Sequence, residues 1–288
     1  MDEPATTAPQ DIYTQDIEYL VFQSGGQLFA IPYLYLVSIL DSPSVTPVPN
    51  MAPHVRGVVD FHDGTVPLYD LRIKMGLPSL PEEIREIAAT LKLRKQDHLN
   101  WLDTLKKEVE SGVTVISVET DPHRCAFGRW YDSYRPDSLA LQAYMSQFDS
   151  PHQKIHRIAV ETQQYVKRND LEGARALIAA TEATDLKRLV RLFDEAEEKI
   201  NRLSFEYAIV IDLPGHDRFA LCADGLKHFD RFAEVIYPLP RVFTEERLNF
   251  IDAIGRQQGA EGTQEVLILN LPLFLTPDLP PVRPATAA

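Results

Sequence analysis

The spacing of apolar residues changes character twice along the chain. From Ile17 to Arg72 they come in short β-branched and aromatic runs broken by turn formers. Tyr19-Leu-Val-Phe22 and Gln27-Leu-Phe-Ala-Ile-Pro32 flank Ser24-Gly-Gly26 and predict two strands joined by a hairpin turn at Gly25-Gly26. Tyr33 to Leu40 reads as a short helix, after which Pro43, Pro47, Pro49 and Pro53 force an extended path. Val55 to Phe61, the turn His62-Asp-Gly-Thr65 and Val66 to Arg72 predict a further strand, turn and return strand. Strands so short and so closely spaced argue for an antiparallel sandwich or barrel.

Helical spacing takes over at Glu82. Pro81-Glu-Glu83 puts proline and carboxylates where a helix start favours them, and Ile84, Ile87, Leu91, His98, Leu102, Leu105 and Val109 then fall on one stripe. Ser111 to Arg124 reads as a loop with one apolar patch, Val113 to Val118. Leu139 to Lys167 is predicted helical, Asn169-Asp-Leu171 is a turn and N-cap, and the chain to Leu203 is helical again. Its apolar face there is Leu186, Leu189, Val190, Phe193, Ala196 and Ile200. These helices predict a bundle. At Ser204 the period returns to two. Phe205 to Asp212, the turn Pro214-Gly-His-Asp217 and Arg218 to Asp224 predict a hairpin, and Phe232 to Pro240 and Glu265 to Leu275 complete a second β-rich stretch.

The order of parts sets the organisation. Neither β-rich stretch is enough to close a barrel, so the expectation is an α+β chain with one discontinuous β domain, residues 17–81 and 204–276. The helical domain, 82–203, is inserted in one of its surface loops. The ends, 1–16 and 277–288, are rich in proline and small polar residues and are expected to be disordered.

Composition narrows the function classes. A hydrophobic fraction of 44% supports a true core, and a net charge of −13 makes nucleic acid or an anionic membrane a poor partner. Two cysteines far apart give no disulfide framework. The chain has no uncharged apolar run long enough for a membrane span, and its start lacks a basic, then apolar, leader, so it reads as cytoplasmic. No serine elbow, glycine-rich phosphate loop or His-Glu-x-x-His motif appears, which leaves catalysis without sequence support.

The candidate chemistry lies in the helical part. His152 and His156 are four apart on a predicted helix, so their imidazoles share a face with Ile155, Ala159 and Val166. His98 occupies the middle of an apolar stripe, where an unpartnered imidazole costs about 1–3 kcal/mol. Cys125 follows the turn-like Asp121-Pro-His-Arg124 and opens a short aromatic segment. A single inward histidine is ordinarily a core residue bonded to a carbonyl. Three of them with one cysteine in the same unit suit tetrahedral zinc. His123, in the loop and off any predictable face, is ranked below these four. Asp97 points away from His98 and is not nominated as its partner. Cys222 reads as a small buried hydrophobe, and His54, His62, His216 and His228 as solvated or loop residues.

Two resemblances extend this reading. His98-Leu-Asn-Trp101, Cys125-Ala-Phe-Gly-Arg-Trp-Tyr131 and His152-Gln-Lys-Ile-His156 resemble, in order and spacing, the three signature pieces of the CZB (chemoreceptor zinc-binding) domain of bacterial signalling proteins. The resemblance implies a four-helix bundle with His98, Cys125, His152 and His156 as zinc ligands. It also implies sensing of oxidants such as hypochlorous acid, or of zinc itself, with Cys125 as the redox-sensitive residue. Val55 to Arg72 resembles the signature of the CheW-like domain, the coupling protein of bacterial chemotaxis, and the β-rich stretch after Ser204 resembles its second part. The family usually has Arg-Gly where His62-Asp63 stand here. This resemblance implies an antiparallel β-barrel pair whose partners are a CheA-type histidine kinase and methyl-accepting chemoreceptors. A homodimer through the bundle is compatible with both. Two other readings of the zinc remain open: a purely structural site, because four protein ligands close the shell, and a hydrolase, which would need one of the four to be a non-ligand.

Overall fold

The computed structural model describes residues 16–62, 64–136, 138–204, 206–237, 239, 250–259 and 262–276. The ends expected to be disordered lie outside the described residues except for Asp16, and Asp63 lies outside them too. The described residues fall into two compact units. One combines the chain up to Leu80 with the chain from Phe205 onward, and the other is Pro81–Ser204.

The first unit is built from strands on both sides of the helical stretch. Before it come β1 (Tyr19–Ser24), β2 (Gln27–Pro32), β3 (Leu36–Asp41), β4 (Val45–Thr46), β5 (Val55–Phe61) and β6 (Gly64–Tyr69). After it come β7 (Tyr207–Ile211), β8 (Phe219–Ala223), β9 (Gly225–Asp230), β10 (Glu234–Ile236), β11 (Ile251–Gly259) and β12 (Gly262–Leu269). Two six-stranded sheets result, in the orders β10-β11-β12-β2-β1-β9 and β3-β7-β8-β6-β5-β4. The expected antiparallel pairing needs one correction in each sheet. β12 runs parallel to β2, with Leu267 opposite Phe29, and β6 runs parallel to β8, with Leu68 opposite Ala220. Both parallel pairs join an early strand to a late one.

Alternation along the strands divides the core. Leu20, Phe22, Phe29 and Ile31 of one sheet share an apolar cluster with Ile209, Ile211, Phe219 and Leu221 of the other. Their neighbours in sequence face the opposite way: Tyr19, Val21 and Ala30 pack with Phe232 and Ile268, while Ala208, Val210, Ala220 and Cys222 pack with Val59 and Leu68. β1, β7 and β8 are thus buried on both faces, which is why they read as continuous apolar runs.

Several local expectations change. Only Tyr33–Tyr35 turn as a 3-10 helix; from Leu36 the chain is strand β3, paired with β7. The end of the predicted return strand is a short helix, α1 (Leu71–Lys74), capped by Asp70, whose carboxylate accepts from the Ile73 amide at 3.2 Å. Leu271–Leu275, predicted as strand, is also helical (labelled α8 below), because Asn270 caps it and Pro272 sits in its first turn. The sequence does not announce β9 and β11: Lys227, His228 and Phe229 of β9 are exposed without alternation, and β11 carries Gly255 and Gln257 in its interior.

The second unit is helical: α2 (Leu80–Glu110), α3 (Ala126–Ser133), α4 (Leu139–Met145), α5 (Asp149–Lys167), α6 (Leu171–Thr181) and α7 (Lys187–Leu203), with α8 being the Leu271–Leu275 helix of the first unit. All seven residues of the predicted α2 stripe are buried. The helix predicted over 139–167 is interrupted by a 3-10 turn at Ser146–Phe148, and the one over 171–203 by a π turn at Glu182–Leu186. α7 buries Leu192, while Val190 is only half-buried. Phe127, Phe148 and Phe193, one from each side of the interior, meet with centroids 5.1–5.7 Å apart. Among the described residues no helix is long and apolar enough to cross a membrane.

Gly57 shows how the strand unit depends on local geometry. It has φ +144° at a shift of register between β5 and β6, and a Cβ there would lie 2.1 Å from the Thr46 carbonyl oxygen. Gly57→Ala is expected to destabilise the strand unit by about 1–3 kcal/mol. Urea unfolding followed by the exchange protection of strand-unit amides would show the shifted midpoint; an unchanged midpoint would mean the backbone relaxes there.

Candidate metal centre

The four residues singled out in the sequence converge. His98 comes from the middle of α2, Cys125 stands immediately before α3, and His152 and His156 are one turn apart near the start of α5. One ligand atom from each lies within 4.8 Å of all the others. The rings of His98 and His152 are 5.0 Å apart and those of His152 and His156 4.8 Å, and Cys125 Sγ is 3.2 Å from His152 Nε2. Tetrahedral zinc places its nitrogen and sulfur ligands about 3.3–3.7 Å from one another, so small side-chain rotations would close the set.

Hydrogen bonds fix how the rings present themselves. His98 Nδ1 donates to the Arg94 carbonyl at 2.7 Å, and His156 Nδ1 donates to the Glu119 carbonyl at 2.8 Å. A carbonyl can only accept, so Nδ1 carries the proton in each neutral ring and Nε2 keeps its lone pair. Both Nε2 atoms are buried without a hydrogen-bond partner among the described residues. Two acceptors aimed into one closed space with nothing to donate to them are a costly arrangement in the absence of an ion, and they are what a metal would satisfy.

Burial also sets the charge state. It pushes His98 down to about 4 and His152 down to about 2, in each case with help from a neighbouring histidine. His156 is lowered as well, by burial and against the pull of the Glu119 carbonyl. All three imidazoles are therefore neutral near pH 7, as ligands must be. The Cys125 thiol is pushed up by burial, opposed by the amides of Gly128 and Phe127.

The sulfur is placed by the start of α3. Cys125 is the N-cap, with φ −68° and ψ 164°, and its Sγ accepts from the Gly128 amide at 3.2 Å. The turn before it lies against Gly128, where a Cβ would come within 1.8 Å of the Pro122 carbonyl oxygen. The histidines at the site are buried, whereas Cys125 is only half-buried.

Trp101 closes the His98-Leu-Asn-Trp101 segment, whose sequence alone gives it no role. Its Nε1 donates at 2.9 Å to the same Glu119 carbonyl that orients His156, and its ring stands 5.2 Å from the His156 ring. Spacing alone could not show this, because Glu119 belongs to a stretch without helix or strand. The remaining histidines divide otherwise. His123 is mostly exposed and paired with Asp132 at 2.9 Å, outside the cluster, and His62, His216 and His228 are exposed. His54 corrects the expectation of a solvated residue: it is 3% exposed, with its ring 6.0 Å from that of Tyr69. Asp97 pairs with Arg94. Cys222 is 1% exposed.

Comparison with known proteins matches these parts. A model of the CheW-like domain matches residues 18–110, and a model of the chemoreceptor zinc-binding domain matches residues 98–163, the two overlapping within α2. The chain thus carries a CheW-like domain followed by a chemoreceptor zinc-binding domain. The β-rich stretch after Ser204 lies outside both matches. No curated protein matches the chain. Among solved structures, the scaffolding protein TtCheW from Thermoanaerobacter tengcongensis aligns over 88% of this chain and 89% of its own, at 10% identity and a TM-score of 0.39.

Two outcomes follow for the protein freed of metal and for its zinc affinity. Unfolded histidines bind protons below about pH 6.5 while native His98 refuses them until about pH 4 and native His152 until about pH 2, so the unfolded state binds more protons in that window and stability falls as pH falls. Denaturation of the zinc-free protein at pH 7.5 and pH 5 is expected to show a loss approaching about 1.4 kcal/mol per pH unit for each such ring; equal stabilities would mean the rings are solvated. Trp101→Phe, which removes one donor to the Glu119 carbonyl, is expected to weaken zinc binding about tenfold in competition with a chromogenic chelator. Unchanged affinity would separate Trp101 from the site.

Proposed function

We propose that this protein is a cytoplasmic chemotaxis adaptor, not an enzyme. In this reading the two sheets form the barrel pair of a CheW-like coupling domain that joins methyl-accepting chemoreceptors to a CheA-type histidine kinase. The inserted helical unit is a four-helix zinc bundle that modulates the coupling, with His98, Cys125, His152 and His156 as ligands. The observation that supports it best is the donor set itself: two buried Nε2 lone pairs without partners face a sulfur and a third imidazole, and the sulfur alone among the four is half-open to solvent.

Zinc, when bound, would keep Cys125 as the thiolate at neutral pH, the form that oxidants attack. The remaining chemistry belongs to the chain. An oxidant such as hypochlorous acid delivers oxygen to Cys125 Sγ: the S–O bond forms, the O–Cl bond breaks, chloride leaves, and the sulfur is oxidised to sulfenic acid. A sulfenic sulfur is a poorer donor than a thiolate. Weaker holding would favour release of the ion, and the buried imidazole lone pairs would then be unpartnered at about 1–3 kcal/mol each, which favours loosening of α3 and α5 against α2. The Gly128 amide at 3.2 Å helps hold the sulfur where an oxidant can reach it.

A second reading is a purely structural zinc, and the convergence of four protein donors supports it, since closed sites are usually structural. One experiment separates the two. In a reconstituted receptor and kinase assay, hypochlorous acid is expected to change kinase output and release zinc from the wild type, while Cys125→Ser binds the kinase but gives no oxidant response. Zinc that stays bound through the exposure, with an unchanged output, would favour the structural reading.

A further inference from the structure

Outside the zinc set, a second group of potential ligands lies together in the strand unit: Asp70, Glu206 and Cys222, with one ligand atom of each within 4.8 Å of the others. Its cation is already supplied by the protein. Arg56 Nη1 is 2.5 Å from Glu206 Oε1, 3.6 Å from Asp70 Oδ2 and 3.6 Å from Cys222 Sγ. The side chain of Asp70 is fully buried and those of Arg56 and Glu206 nearly so, with 17% and 14% exposed. A single guanidinium nitrogen in a largely buried pocket therefore faces two carboxylates and a thiol, which makes this an ion cluster and not a metal site.

The positions of the two carboxylates in the chain are what give the cluster meaning. Asp70 is the last residue before α1, the short helix through which the chain leaves the strand unit on its way to α2. Glu206 stands just after the chain returns, directly ahead of β7. The exit has a further anchor of its own. Arg72 Nη1 pairs with Asp224 at 2.6 Å, Arg72 Nε donates to the Pro78 carbonyl at 2.8 Å, and Asp224 also accepts from the Gly25 amide at 2.7 Å. Three carboxylates thus share two guanidinium groups. Burial raises all three carboxyls above their ordinary range, and removing Arg56 would leave Glu206 without its cation and Asp70 with the charge of Arg72 alone.

We infer that Arg56 is a positioning residue that clamps the chain's exit from the strand unit to its return, holding together the two connections that lead to the helical unit. The bulge at Gly57, next to it in β5, directs the strand at this point. As a route by which the bundle would act on the coupling domain, the clamp rests on the proposed function; as a clamp, it can be tested without zinc.

Hydrogen–deuterium exchange of the full-length, zinc-loaded protein reads it. Arg56→Gln is expected to speed exchange about tenfold in both 71–79 and 206–211, leaving β11 and β12 protected. Arg72→Gln is expected to loosen 71–79 alone, and Glu206→Gln 206–211 alone. A general loss of packing would not sort the two segments in this way. Arg56→Gln that loosens one connection only, or neither, overturns the inference. Should that variant fail to fold, the neutral set Arg56→Met, Asp70→Asn and Glu206→Gln removes every buried charge of the clamp. It is expected to fold with both segments loosened, and wild-type protection of either segment would again overturn it. Zinc removal from the wild type tests the other reading separately: no change in 71–79 or 206–211 counts against signalling by the bundle and leaves the clamp result standing.

Discussion

The helical unit is organised around a shortage of hydrogen-bond donors. Its interior holds three neutral imidazoles, two of which have already spent their only proton on backbone carbonyls, so their remaining nitrogens can only accept. The aromatic rings packed against them, Phe127 and Phe193, cannot donate to them. An apolar core would be cheaper to build. The arrangement makes physical sense as a site that is incomplete as protein alone, and the packing around it follows: the N-cap sulfur of Cys125, the close turn at Gly128, and the irregular 111–124 segment whose Glu119 carbonyl is held by Trp101 and His156 together.

The strand unit solves a different problem with the opposite kind of chemistry. It must hold a chain that leaves and comes back, and it does so with buried full charges. Buried ion pairs contribute little to net stability compared with apolar packing, but they tolerate few alternative arrangements. Guanidinium groups at Arg56 and Arg72 hold carboxylates on either side of the interruption. The two units thus use polar groups in different ways, one holding buried acceptors that could take an ion and the other matching buried carboxylates with guanidinium groups.

Much of this was legible in the sequence. The α2 stripe, including His98, is buried residue for residue, because one face of a long helix is fixed by period alone. The i, i+4 spacing put His152 and His156 on one face for the same reason, and Asp170 and Gly25-Gly26 acted as cap and turn. What could not be read was decided by partners distant in sequence. β9 and β11 are strands because a neighbouring strand offers them a ladder, not because their residues alternate well. Leu271–Leu275 is apolar enough for either structure, and the Asn270 cap decided it. His54 is buried through the fold around Tyr69, and the part played by Trp101 depends on a carbonyl from a stretch with no periodic signal.

The two parallel ladders bear on how the protein is made. β2 and β6 emerge from the ribosome long before β12 and β8, the strands they lie beside, have been synthesised. The helical unit, Pro81–Ser204, is complete in the nascent chain while both sheets still have open edges. During translation the half-built strand unit must therefore wait, with Leu68, Phe29 and their neighbours uncovered, until the last quarter of the polypeptide arrives to cover them. A helical unit that is slow to settle at that stage would prolong the interval in which bare sheet edges can pair with another copy.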